Sequence, residues 1–300
     1  MRSCKIVYMG TPDFAVEPLK RICEDGHEVS LVVTQPDKQR GRGMAFTPTP
    51  VKAFALEKGI RVFQPQSLRD EEAQRIIKDE NADYIIVAAY GKILPIEVLN
   101  AAKHGCVNIH ASLLPRHRGA APINRAIMEG DTLGGVTVMH MAEGLDTGDM
   151  ILCKEMPIPD DMTAGMYHDA LSVLGAEAIS EFLAEENHSR TVQDDSLATY
   201  AAKIEKAETE IDFSLPSEKV YNKIRGLSPY PCAFAVINGR RFKLISAVRG
   251  NGSGVAGSVI SADKSGIEIA CGTGSVVVTV LQPEGKRAMT AAEFLVGNKL

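Results

Sequence analysis

Lys5-Ile6-Val7-Tyr8-Met9-Gly10 is a short apolar, β-branched run that ends on a glycine, and Val29-Ser30-Leu31-Val32-Val33-Thr34 is a second run of the same kind. The sequence between them is helix-compatible, so the three pieces predict a βαβ unit. Outward from it the rhythm continues: a helix over 52–58 closed by Gly59, a strand over 61–63, a helix over 70–80 and the buried run 84–89. Strands over 107–109, 136–140 and 151–158 follow. Such alternation predicts an α/β fold, a Rossmann-like, mostly parallel sheet with helices on both faces.

Thr163 is the candidate N-cap of a long helix whose Leu171, Leu174, Ala178 and Phe182 recur at three- and four-residue spacing. That helix closes a first domain, 1–186. Residues 187–208 are polar, carry Asp194-Asp195-Ser196 and read as a linker. From 209 to 300 the pattern changes to five short β-rich runs, 233–237, 242–248, 257–261, 266–270 and 275–281, which predict a small, OB-like C-terminal β-barrel.

With 300 residues, 45% of them hydrophobic and 24% charged, disorder, collagen and membrane spans are excluded and two domains with cores of their own are expected. The six cysteines stand singly, without a C-x-x-C pair, which favours a reducing compartment. The apolar run behind Met1-Arg2-Ser3-Cys4-Lys5 is too short for a signal segment, so a cytoplasmic protein is expected. The net charge of −5 is unevenly placed: residues 209–300 hold eleven basic and seven acidic side chains, +4, which leaves −9 for 1–208. A basic module on an acidic body suits a polyanionic partner, and chance asymmetry on a solvated surface is the alternative.

Gly10-Thr11-Pro12-Asp13 follows the first strand where a dinucleotide fingerprint would stand, but its second and third glycines are missing, and no P-loop pattern occurs. The densest chemistry lies in 108–122. Asn108 and His110, two residues apart at the end of a strand, face one side of the C-terminal sheet edge, where open α/β sheets bind ligands. An amide donor and an imidazole there suit a polarised carbonyl and a moving proton, unless they only cap a turn and fill the core. Gly144-Leu145-Asp146-Thr147-Gly148-Asp149 is a tight loop that can present Asp146 at the same edge to orient the imidazole; a simple turn aspartate is the alternative. The seven histidines lack metal-ligand spacing, so no metal is expected. Ser112 lacks a nucleophile elbow. The long connection 35–50 carries Lys38, Arg40 and Arg42 among glycines, a basic finger suited to phosphates or else a solvated loop.

Asn108-x-His110-x-Ser112-Leu113-Leu114-Pro115-Arg116-x-Arg118-Gly119-Ala120-Ala121-Pro122, followed by Gly144-Leu145-Asp146-Thr147-Gly148-Asp149, resembles the folate-dependent formyltransferases. The insertion 35–50, Lys203-Ile204-x-Lys206, Gln282-Pro283-Glu284-Gly285-Lys286 and Ala292-Glu293-Phe294-Leu295 carry the resemblance to members that act on an aminoacylated tRNA. It spans essentially the whole chain. Tryptophan is absent, and Tyr230 stands where such proteins commonly have one. The resemblance implies transfer of a formyl group from 10-formyltetrahydrofolate to the α-amino group of methionine on initiator methionyl-tRNA, in translation initiation. It implies Asn108, His110 and Asp146 as the catalytic trio. Ser112-Leu113-Leu114-Pro115 and Val87-Ala88-Ala89-Tyr90-Gly91 would bind folate, and Lys38, Arg40 and Arg42 would meet the tRNA together with the barrel. A cis Leu114-Pro115 peptide, a monomer and no membrane partner are also expected. The rival acceptors are a glycinamide ribonucleotide or an amino sugar nucleotide, and a purely RNA-binding protein is the rival of another class.

Overall fold

The computed structural model describes residues 3–40, 45–185 and 187–300. In chain order its elements are β1 Lys5–Gly10, α1 Val16–Glu24, β2 Glu28–Val33, β3 Lys38–Arg40, β4 Ala45–Thr47, α2 Pro50–Glu57, β5 Val62–Phe63, α3 Glu71–Lys78, β6 Tyr84–Ala88, α4 Ile96–Leu99, β7 Cys106–His110, β8 Arg118–Gly119 and α5 Pro122–Glu129. They continue with β9 Leu133–His140, β10 Met150–Pro157, α6 Ala164–Ala184, β11 Tyr200–Ala201, α7 Ser217–Gly226, β12 Ala233–Ile237, β13 Arg240–Gly250, β14 Val259–Asp263, β15 Gly266–Ala270, β16 Ser275–Pro283, β17 Met289–Thr290 and α8 Ala291–Leu295.

Two compact units divide the chain, one of residues 1–120, 135–156 and 168–201, the other of 121–134, 157–167 and 202–300. The segment read as a linker is therefore parted at 201, and its first half packs with the first unit.

The first unit is built on a seven-stranded sheet in the order β10-β9-β7-β6-β1-β2-β5. The pairs β1–β2, β1–β6, β2–β5 and β6–β7 are parallel. β9 runs antiparallel to β7, a reversal that hydrophobic runs alone do not disclose. Val7, Met9, Leu31, Val33, Ile85 and Val87 share one core cluster, and Ile6 and Tyr8, the alternate residues of β1, are buried as well. A strand covered on both faces explains the unbroken apolar runs, each such Val, Leu or Ile contributing about 1.5–3 kcal/mol. α2 begins at Pro50, ahead of the expected 52, because Thr49 accepts the Lys52 N–H and proline suits the first helical position. Thr163 caps α6 as expected, accepting from the Met166 N–H at 3.2 Å. Residues 35–50 are not a bare loop, since β3 and β4 pair as a short antiparallel ribbon.

The second unit carries an antiparallel sheet, β12-β13-β16-β15-β14, with β17 against β16. Its core includes Phe242, Leu244, Ile267, Ile269, Val276, Val278 and Phe294. α7 and α8 were not foreseen among the β-rich runs. α7 buries Val220, Tyr221 and Ile224 in that core, and its few apolar residues are diluted by Ser217, Glu218, Lys219, Asn222, Lys223 and Arg225.

Candidate active site

β1 stands between β2 and β6, so the chain leaves it on one side and returns on the other. That reversal opens a crevice at the carboxyl ends of the strands. Gly10 there lies opposite Ala88, and Val87 lies opposite Asn108. Ala89 and Gly91 take positive φ, 45° and 81°, and turn the chain after β6. The turn is held by its carbonyl at Tyr90, which accepts from the Thr11 hydroxyl at 3.0 Å and from the Gln35 amide at 3.1 Å. The Tyr90 ring is buried, and burial pushes its phenol up to about 12.

Asn108 and His110 stand two residues apart on β7, and both are buried, at 9% and 5% exposure. The Asn108 side-chain amide hydrogen-bonds to none of the described residues. His110 lies between two acceptors: its Nε2 is 3.0 Å from the His117 carbonyl, and its Nδ1 is 3.7 Å from Oδ2 of Asp146. A ring protonated at Nε2 donates to that carbonyl, and an imidazolium would in addition face the Asp146 carboxylate at ion-pair distance.

Asp146 reaches His110 by a route the sequence did not suggest. Because β9 is antiparallel to β7, its end at His140 lies opposite Val107, the far end of β7 from His110. The loop from 141 to 149 does not sit at the expected edge by strand direction; it folds back to bring Asp146 there. Asp146 takes a φ of 53°, and its Oδ2 accepts the Gly119 N–H at 2.8 Å. A Cβ on Gly148 would overlap the His140 carbonyl, which explains a glycine at that bend.

The Ser112-Leu113-Leu114-Pro115 segment is fastened from β9. The Thr137 hydroxyl donates to the Ser112 carbonyl at 2.7 Å and accepts the Leu114 N–H at 3.1 Å. The Ser112 hydroxyl donates to the Arg116 carbonyl at 2.6 Å, and Leu114-Pro115 is cis, as expected. Of the basic finger, Lys38 is exposed on β3, Arg40 is placed only by its backbone, and Arg42 lies outside the described residues. The base of the ribbon is clamped: Lys52 donates to Asp37 and to Gln64 at 2.7 Å, and Gln64 donates to Asp37 at 2.8 Å. These bonds hold the Asp37 carboxyl below its usual range.

Three residues that sequence reasoning gave no role converge on the same place. Gln193 donates to the carbonyls of Asp146 and Gly148, Arg118 donates to Gln193, and Thr137 holds the proline turn. Gln193 gave no local signal, being one amide in a polar stretch.

The formyl transferase family model matches residues 4–183, and the formyl transferase C-terminal domain model matches 203–299. The chain is 45% identical to a methionyl-tRNA formyltransferase of Macrococcus caseolyticus over 98% of its own length and 96% of that protein's. It is 47% identical to one of Chromobacterium violaceum, over 99% and 97%. Its fold is similar to HypX from Aquifex aeolicus, solved in complex with tetrahydrofolic acid, at a TM-score of 0.68 and 17% identity. That alignment covers 98% of this chain, which spans about half of HypX, 47% of its length. With both halves of the family pattern matched in order, and with such identity sustained from end to end, the chain belongs to the methionyl-tRNA formyltransferase family of formyl-transferring enzymes.

Proposed function

We propose that the enzyme takes a formyl group from 10-formyltetrahydrofolate and places it on the α-amino group of methionine esterified to initiator tRNA. The observation that carries this reading is the approach of Asp146 to His110 beside an Asn108 amide that has no hydrogen-bond partner among the described residues. Attack of the amine on the formyl carbon turns its carbonyl oxygen into an oxyanion, and a donor already in place stabilises that charge without reorganising. Asn108 is this donor. The amine gives up a proton on attack and the folate nitrogen takes one up on departure. His110, with acceptors on both ring nitrogens, passes the proton, and Asp146 holds the imidazolium.

The donor supplies the activated formyl group, and the residues around the crevice suit it. Val87-Ala88-Ala89-Tyr90-Gly91 offers backbone groups turned by two positive φ angles, and Ser112-Leu113-Leu114-Pro115, held in place by Thr137, follows β7. HypX, crystallised with tetrahydrofolic acid, supports a folate on this fold. The names of the relatives, the paired strands β3 and β4 with Lys38 and Arg40, and the +4 charge of residues 209–300 support a tRNA acceptor over a ribonucleotide or an amino sugar nucleotide. In this reading residues 1–186 form the catalytic domain and 209–300 bind tRNA, in a cytoplasmic enzyme.

Isotope-labelled formyltetrahydrofolate offered together with charged initiator tRNA, glycinamide ribonucleotide or an amino sugar nucleotide tests it. Label is expected on the tRNA-borne methionine. Label on either small acceptor alone overturns the reading.

A further inference from the structure

Asp146 sits on a loop whose strand points the wrong way for it, so something else must fix the carboxylate. Gln193 makes the connection. Its side-chain N–H groups donate to the carbonyls of Asp146 and Gly148, at 2.8 and 2.7 Å, and its Oε1 accepts Nε–H of Arg118 at 3.0 Å. Arginine has no acceptor, so the amide can face only one way, oxygen to Arg118 and nitrogen to the loop. Gln193 is 7% exposed and Arg118 only 2%. The charge of Arg118 is met at 2.7 Å by Asp195, whose own side chain is 84% exposed.

The residue after Arg118 completes the grip, since the Gly119 N–H donates to the Asp146 carboxylate itself. Arg118 and Gly119 are strapped in turn to Tyr200 and Ala201 by parallel pairing, and the His117 N–H donates to the Thr199 hydroxyl at 2.8 Å. The stretch 193–201, polar enough to pass for a linker, thus bears on the catalytic loop through side chain and main chain together.

We propose that Arg118 and Gln193 are positioning residues that set the Asp146 carboxylate against His110, and that the segment from 193 to 201 is part of the active site. The proposal rests on Asp146 serving the proton transfer described above. Without Gln193 two loop carbonyls lose their donors and Asp146 drifts, and a displacement of about 1 Å in such a group costs up to ~10²-fold in rate. Substrates, which bind elsewhere in the crevice, are held as before.

The test compares Asp146→Ala, Gln193→Ala, Gln193→Glu and the double variant Asp146→Ala/Gln193→Ala in the full chain. Gln193→Glu keeps an acceptor for Arg118 but turns oxygens toward the loop carbonyls, so it separates the grip on the loop from the pairing with Arg118. Both Gln193 variants are expected to lose about 10–100-fold in kcat with little change in KM for either substrate, and to shift the pH profile of kcat. The double variant is expected to be no slower than Asp146→Ala, because Gln193 acts through that carboxylate. Normal turnover in the Gln193 variants beside a slow Asp146→Ala overturns the positioning role and leaves the mechanism standing; normal turnover in Asp146→Ala overturns the mechanism. Additive losses in the double variant, or failure of both Gln193 variants to fold, also overturn the proposal, since the residue then serves the fold at large.

Discussion

The Gly119 N–H donates to Oδ2 of Asp146 at 2.8 Å, so main chain grips the carboxylate itself next to His110, while the Gln193 side chain holds the loop that carries it. Gly119 can hold this place only as glycine: its φ is 124°, and a Cβ would stand 2.8 Å from the Ala201 carbonyl oxygen. The strand pairing with Ala201 that leaves no room for a Cβ lies at the same residue whose N–H reaches Asp146.

Gly119→Ala is therefore expected to lower stability by about 1–3 kcal/mol and to slow turnover as well. Denaturant unfolding, together with kcat measured under folded conditions, checks both. A variant with wild-type values in each would mean that the backbone here adapts at no cost.

Asn108→Ala removes the proposed oxyanion donor and is expected to lower kcat by ~10²–10³-fold, as loss of one such donor does, with binding of both substrates little changed. Asp146→Ala and His110→Ala are each expected to cost ~10²-fold or more. Single-turnover formyl transfer gives the rates, and tRNA retention on filters gives the binding. Near-normal rates in any one of the three remove that residue from the chemistry.

The βαβ order and the placement of Asn108 and His110 together at the end of a strand were legible because each depends on neighbours in sequence: an apolar run, a period of two, a strand end. The position of Asp146 was half legible. Its loop could be read from Gly144 and Gly148, but its approach to His110 depends on the antiparallel course of β9, which the pattern of a single strand does not encode. Gln193 was not legible at all, since its partner Arg118 lies 75 residues away and the acidic pair beside it reads as part of a polar linker. α7 was missed for another reason. Val220, Tyr221 and Ile224 do follow helical spacing, but the β-rich runs beyond them outweighed that brief stripe.

His140, at the far end of β9 from the site, gives a pH dependence that is separate from catalysis. It lines a groove of about 320 Å³ with Cys106, Glu143 and Arg190. Burial pushes its imidazole down to about 4 from 6.5, Arg190 and His188 push the same way, and Asp149 opposes them. The folded protein keeps the ring neutral while the unfolded chain takes up a proton below 6.5, so stability falls as pH drops from 6.5 toward 4. His140→Gln is expected to flatten that part of the profile. Urea midpoints for both proteins across this range decide it, and an equal acid loss in the variant would place the effect on other groups.

The basic ribbon separates a tRNA enzyme from a small-molecule one. Its base is clamped by Lys52, Asp37 and Gln64, and it leads from there through exposed Lys38 to the segment carrying Arg42. If that segment meets the acceptor end of tRNA, Arg42→Ala loses a charge-assisted contact worth roughly 1.5–3 kcal/mol, a drop of about ten- to a hundred-fold in kcat/KM with charged tRNA. Folate affinity is expected to stay as it is. Contact with phosphate also predicts that added salt weakens tRNA binding less in the variant than in the wild type, because one neutralised phosphate is gone. Contact with a base edge predicts instead an unchanged salt slope and poorer discrimination between initiator and elongator tRNA. Kinetics at several salt concentrations with both tRNAs distinguish the two outcomes. An Arg42→Ala enzyme that matches the wild type in rate, salt slope and selectivity would reduce the finger to a solvated loop and return the small acceptors to contention.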